Sequence, residues 1–83
     1  MKNMKIIYTC DLDNKLAALI REKQKEFFCC ITFKVDDANR WYMNVIKLDG
    51  SVSFDDMLVD CKDSLYATMT WIRRWFRDNK DKF

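Results

Sequence analysis

Apolar residues recur in the last third of the chain at Leu58, Cys61, Leu65, Met69, Ile72 and Phe76, steps of three and four that place them on one face of an α-helix. The same stretch carries Asp55, Asp56, Asp60 and Asp63 early and Arg73, Arg74 and Arg77 late, the order that the helix macrodipole favours. The pattern predicts a principal helix from Asp55 onward, opened by Ser53, Phe54, Asp55 and Asp56 with the spacing of a capping box. Met57, Leu58 and Val59 are the weak point, because they also suit a prolonged strand with the helix delayed to Asp60.

Upstream, the β-branched run from Lys5 to Thr9 predicts a first strand. Asp11 or Asp13 then supplies a cap for a first helix, whose inner face is Leu12, Leu16, Leu19, Ile20 and the stem of Lys23, and which ends near Glu26. Residues 27–36 alternate, with Phe27, Cys29, Ile31, Phe33 and Val35 on one side. A three-residue loop of Asp37, Ala38 and left-handed Asn39 predicts a hairpin pairing Val35 with Trp41, Phe33 with Met43 and Ile31 with Val45. Asp49-Gly50 predicts a two-residue turn into a further strand, with Leu48 opposite Ser51 and Val45 opposite Phe54. The order is β-α-β-β-β-α: an α+β fold with both helices on one face of an antiparallel sheet, and the first strand added at an edge, parallel to its neighbour.

Composition narrows this picture. Eighty-three residues, 49% hydrophobic, with no proline and one glycine, predict one small domain over residues 1–83, without linker or low-complexity tract. The net charge of +2 implies no nucleic-acid partner by itself. Nothing in MKNMKIIYTC reads as a signal peptide, and nothing is long enough to span a membrane. The four cysteines, Cys10, Cys29, Cys30 and Cys61, form no CxxC pair and read as buried thiols in a reducing cytoplasm.

From about Asp11 to Asp78 the αβββα order resembles the architecture of the double-stranded RNA-binding domain family. That resemblance implies fold alone. The family's histidine-bearing loop and the lysines opening its last helix have no counterpart here, where histidine is absent and the corresponding stretch opens with Asp55, Asp56 and Asp60.

Candidate chemistry is sparse. A chain without histidine lacks the usual general base and the commonest metal ligand. Asp11-x-Asp13 after a strand resembles the paired aspartates of haloacid dehalogenase-type phosphotransferases, but Asn14-Lys15 follow and helix capping explains the pair. Asp56, Asp60 and Asp63 would share an outward helix side without the compact loop that cation sites use. No catalytic residue, metal ligand or cofactor is therefore expected.

Three surfaces remain. Trp71, Arg74, Trp75 and Arg77 fall on one flank of the last helix and combine the residue types that dominate binding hot spots. The sheet face away from the helices would show Phe28, Tyr42, Ile46 and Leu48, a patch for a partner or a homodimer. Arg73, Arg77, Lys80 and Lys82 are candidate phosphate contacts. The reading is a non-catalytic interaction or inhibitor module that binds another protein, of the anti-defence kind (anti-CRISPRs among them) encoded by phages and mobile elements. The alternative is a small nucleic-acid-binding regulator using the basic C-terminal helix.

Overall fold

The computed structural model describes residues 3–83, so the first two residues of the N-terminal segment lie outside the description. Strands β1 (Lys5–Ile7), β2 (Cys29–Val35), β3 (Trp41–Lys47) and β4 (Ser53–Val59) form one sheet in sequence order, with helix α1 (Asn14–Phe27) after β1 and helix α2 (Leu65–Asn79) after β4. The expected α+β architecture and element order are present. Every strand pair is antiparallel, including β1 with β2, where Lys5 lies opposite Val35 and Ile7 opposite Phe33. That corrects the parallel first strand. A helix between two strands imposes no parallel pairing when it runs back along the second one, and a single residue, Phe28, separates the end of α1 from β2.

Local chemistry accounts for the ends of α1. Asp13 accepts from the Lys15 amide at 2.8 Å and caps the start, which leaves Asp11 outside the helix in a 3-10 turn at Thr9–Asp11. Phe28 closes the other end in the left-handed region, at φ 53, with its N–H on the Gln24 carbonyl. Gln24 also accepts from the Ile31 amide at 2.8 Å, so a helix side chain covers part of the β2 edge that three-residue β1 leaves open.

The β2–β3 hairpin has the expected register, from Cys29 opposite Lys47 to Val35 opposite Trp41, and Asn39 is left-handed at φ 60. Buried Asp36 holds the turn. One carboxylate oxygen accepts from the Ala38 and Arg40 amides at 3.0 and 2.9 Å; the other accepts from Arg40 Nε and the Tyr42 hydroxyl, both at 3.0 Å. The Arg40 amide, then the Tyr42 hydroxyl and the Arg40 guanidinium, hold the Asp36 carboxyl below the usual carboxylate range against the opposing effect of burial. The next turn keeps the expected register but is longer than expected. Gly50 N–H reaches the Lys47 carbonyl at 2.8 Å with φ 75; the ladder closes at Lys47 and Val52, the next pair inward in that register, and Leu48 and Ser51 join the turn.

The largest difference from the sequence reading lies at 53–64. Met57, Leu58 and Val59 belong to β4, and α2 starts ten residues later than Asp55, capped by Ser64, whose hydroxyl accepts from the Ala67 amide at 3.2 Å. Val45 faces Phe54 as expected, but Met43 faces Met57, so Asp55 and Asp56 together oppose Asn44 in a β-bulge. Asp56 takes φ 52, and its amide donates to Asn44 Oδ1 at 2.9 Å. The bulge makes the inward residues of β4 Phe54, Met57 and Val59, a step of three followed by one of two. That first step imitates a helix.

One sheet face packs beneath both helices. Met43, Val45, Phe33, Val59, Ile20, Ile72 and Phe76 are the centre of a core completed by Leu12, Leu16, Leu19, Cys29 and Ile31. Burying apolar side chains such as these contributes about 1.5–3 kcal/mol each, the main force against chain entropy.

Because the folded pKa of Asp36 is depressed, its charge contributes stability above its unfolded value near 4, and that contribution is lost as pH falls through the folded value. Asp36→Asn should lower urea stability at neutral pH, and its deficit against wild type should shrink as the solution is acidified below about pH 4. A deficit independent of pH would show that the carboxylate charge contributes nothing.

Candidate interaction surface

The core-facing sheet residues point toward the helices; their neighbours make a second face that no helix or strand among the described residues covers. In register across it stand Ile6, Lys34, Tyr42 and Leu58, then Thr32 and Asn44 with the bulge beside them, then Cys30, Ile46 and Ser53, and at the far end Phe28 and Leu48. Ile6, Phe28, Ile46, Leu48 and Leu58 are each 44–61% exposed. They gather at the two ends of the strands. A shallow depression between them is lined by Cys30, Thr32, Lys34, Asn44, Ile46 and Asp55.

Within this face two polar groups are specified by the fold. Tyr42, expected as part of the exposed patch, is only 5% exposed: its hydroxyl turns onto Asp36 and the ring becomes part of the turn's support. Asn44 is oriented by the bulge amide on its Oδ1. Its Nδ2 is solvent-excluded and, among the described residues, is the buried side-chain polar atom without a hydrogen-bond partner.

The helix flank divides differently from the sequence reading. Trp75 packs edge-on against Phe54 and Phe76, each at 4.8 Å between ring centroids, and against Phe83 at 6.1 Å. Phe27 joins the same cluster at 4.8 Å from Phe76 and 5.2 Å from Phe83, and Lys47 Nζ donates to the Phe83 carbonyl. Trp75 is therefore a half-buried wall of the core. Trp71 packs on the core's edge and lines a shallow groove with Cys61, Tyr66, Ala67, Thr70 and Arg74. Arg74 is exposed there, so the structure brings Trp71 and Arg74 together and turns Trp75 away. Arg77 pairs with Asp78 at 3.2 Å, and Arg73, Lys80 and Lys82 are exposed along the C-terminal end.

Among the described residues, no three Cys, Asp or Glu side chains gather in a way that could hold a metal ion. Asp11, Asp13 and Asp63 rim a cleft floored by Leu12, Leu16, Trp41, Leu65 and Thr68, but Asp13 is committed to its helix cap and Asp63 pairs with Lys62 at 3.2 Å. No helix among the described residues is long and apolar enough to cross a membrane.

The cysteines correct a second expectation. Only Cys29 is buried; Cys10, in the 3-10 turn, and Cys30, on the open sheet face, are exposed, and Cys61 is half-buried. Burial, helped by the neighbouring Cys30, pushes the Cys29 thiol up to about 11. Adjacent positions in a strand point to opposite faces, which leaves Cys29 toward the core and Cys30 on the open face.

No protein-family model, curated protein or solved structure matches the chain. The surfaces themselves therefore carry the functional argument.

The two tryptophans should separate in denaturant unfolding. Trp75→Ala removes the wall shared by three other rings and should cost about 3 kcal/mol or more, whereas Trp71→Ala at the groove should cost about 1–2 kcal/mol. Equal losses would place Trp71 in the core as firmly as Trp75. In native protein, maleimide should label Cys10 and Cys30 quickly and Cys29 only after unfolding; rapid native labelling of Cys29 would contradict its burial.

Proposed function

We propose that this chain is a non-catalytic protein-interaction module. The observation that carries the reading is the uncovered sheet face, where Ile6, Phe28, Ile46, Leu48 and Leu58 stay exposed on a rigid four-stranded scaffold. A solvated antiparallel face ordinarily alternates to polar residues, and clustered large apolar side chains on such a face mark contact with another polypeptide. The anti-defence role expected from the sequence falls within this reading. An inhibitor of that kind acts by covering a surface of its target and needs a docking face, with no bond-making chemistry. The Trp71–Arg74 groove offers a second contact on the opposite side of the molecule from the open face.

Nucleic-acid binding through the basic helix end has less support. Arg77 is engaged with Asp78, Lys82 Nζ lies 5.9 Å from the Phe54 ring centroid, and Trp75 packs in the core's aromatic wall and not on a stacking platform.

The immobilised chain should capture a discrete partner protein from lysate of its native host, with retention little changed between about 50 and 200 mM salt. Ile46→Lys should abolish capture, and paired Arg73→Ala and Lys80→Ala changes should leave it intact. Salt-sensitive retention that follows the basic residues and ignores Ile46 would replace this reading with the nucleic-acid one.

A further inference from the structure

We infer that the groove beside Trp71 and Arg74 on α2 binds an acidic peptide segment of another protein, with a large apolar side chain close to a carboxylate. The inference rests on the reading of the chain as an interaction module and names what its second surface takes.

Charge is divided between the two layers of the fold. Residues 14–27 and 65–83, the helices with the closing 3-10 turn, carry nine Lys and Arg against four Asp and Glu. Residues 3–13 and 28–64, the sheet and its turns, carry five against nine. A net charge of only +2 thus conceals a cationic helical side and an anionic sheet side. A field divided in this way draws acidic partners to the helices.

The groove is where that charge borders apolar surface. Its lining of Cys61, Tyr66, Ala67, Thr70, Trp71 and Arg74 contains no carboxylate, whereas the groove between α1 and α2 sets Glu22 beside Lys15 and Arg73. Arg74 is exposed and, among the described residues, makes no hydrogen bond or ion pair. Asp78, one turn further on, would neutralise it but accepts from Arg77 Nε at 3.2 Å. The guanidinium fork of Arg74, suited to a bidentate carboxylate, is left unused at the rim of an apolar hollow.

Helix spacing sets the length of the motif. Tyr66, Thr70 and Arg74 form one row along α2, with Ala67 and Trp71 in the next. Ala67 is the shortest of these side chains and leaves the hollow, with Tyr66 and Trp71 as its aromatic walls. The groove holds about 310 Å³. That is the lower end of ligand clefts, roughly 300–1,000 Å³, and gives room for one large side chain or two small ones. Ala67 and Arg74 are separated by a rise of about 10 Å, which about three residues of extended peptide cover.

The flanks decide between a peptide and a nucleic acid. Exposed Asp60 and Asp63 bracket the Cys61 end, while Arg73, Arg74 and Arg77 stand at the other. A strand with a phosphate at every nucleotide would meet those aspartates along its track. A peptide with its apolar residue on Ala67 and its carboxylate toward Arg74 meets none of them.

The probe is a fluorescein-labelled synthetic peptide of about twelve residues, one Phe followed three positions later by Glu-Glu in a Gly-Ser background. Anisotropy on titration with the full chain should show saturable binding with a Kd below about 1 mM at low salt. Arg74→Glu and, separately, Ala67→Gln, which fills the hollow, should each weaken binding about tenfold or more while circular dichroism stays that of wild type. Arg74 is exposed, so its variant carries the test even where Ala67→Gln disturbs the helix. Replacing the peptide's two Glu by Gln should weaken binding as much as Arg74→Glu does. Ile46→Lys should leave peptide binding unchanged, which keeps this result separate from capture at the open sheet face. Absence of saturable binding, affinity indifferent to Arg74→Glu, or loss of peptide binding in Ile46→Lys overturns the inference. Displacement of the peptide by a short single-stranded DNA that binds more tightly also overturns it, in favour of a nucleic acid.

Discussion

The carboxylate of Asp36 is the contact on which the rest of the sheet depends. Its four accepted hydrogen bonds fasten both sides of the β2–β3 turn. A strand has a period of two, so slipping that turn by one residue would send Phe33, Met43 and Val45 to solvent and Lys34 and Asn44 to the core. Burying a carboxylate without partners would be costly; saturating it from two amides, a guanidinium and a phenol makes the same group a register lock. The exposed face and the buried face are two outcomes of one choice of register.

That hairpin was legible in the sequence because two independent signals agreed: the alternation from Cys29 to Val35 and a loop with an asparagine suited to the left-handed conformation. The first helix was legible from its stripe and cap. The start of the second helix was not. A bulge adds one residue to β4, turns Phe54–Met57 into a helix-like step, and brings Asp55 and Asp56 out together. Read without the bulge, Leu58 joins the helical stripe and the aspartates become dipole partners of a helix that begins only at Leu65. Periodicity cannot distinguish a helix from a bulged strand over so few residues, and only the hydrogen bond from Asp56 to Asn44, a long-range contact, decides it.

The candidate site was legible in part for a similar reason. Exposure of Ile46 follows from strand parity alone, whereas Phe28 is exposed as the left-handed cap of α1 and Leu48 in the turn after β3. Trp71 and Trp75, in contrast, lie one helical turn apart and look equivalent on a wheel. What separates them is the C-terminal residue: Phe83 folds back through a 3-10 turn at Lys80–Lys82 to close a ring cluster with Phe27, Phe54, Trp75 and Phe76. No local pattern announces that return. Tyr42 was misplaced likewise, because a far-face position exposes its side chain only if nothing else on that face, here Asp36, draws it down.

The polar middle of the open face explains how an apolar surface can be specific. A uniformly greasy sheet would associate in any orientation and with any hydrophobic partner, since burial is non-directional. Thr32 and Asn44 between two apolar ends change that balance. Asn44 Nδ2 is already shut off from solvent within the chain, so its orientation is set by the fold and not by whatever covers the face. The bulge fixes that orientation: it inserts Asp56, whose amide donates to the Asn44 side-chain carbonyl. The irregularity that hid the start of the second helix is thus the same one that holds the asparagine in place at the middle of the open face.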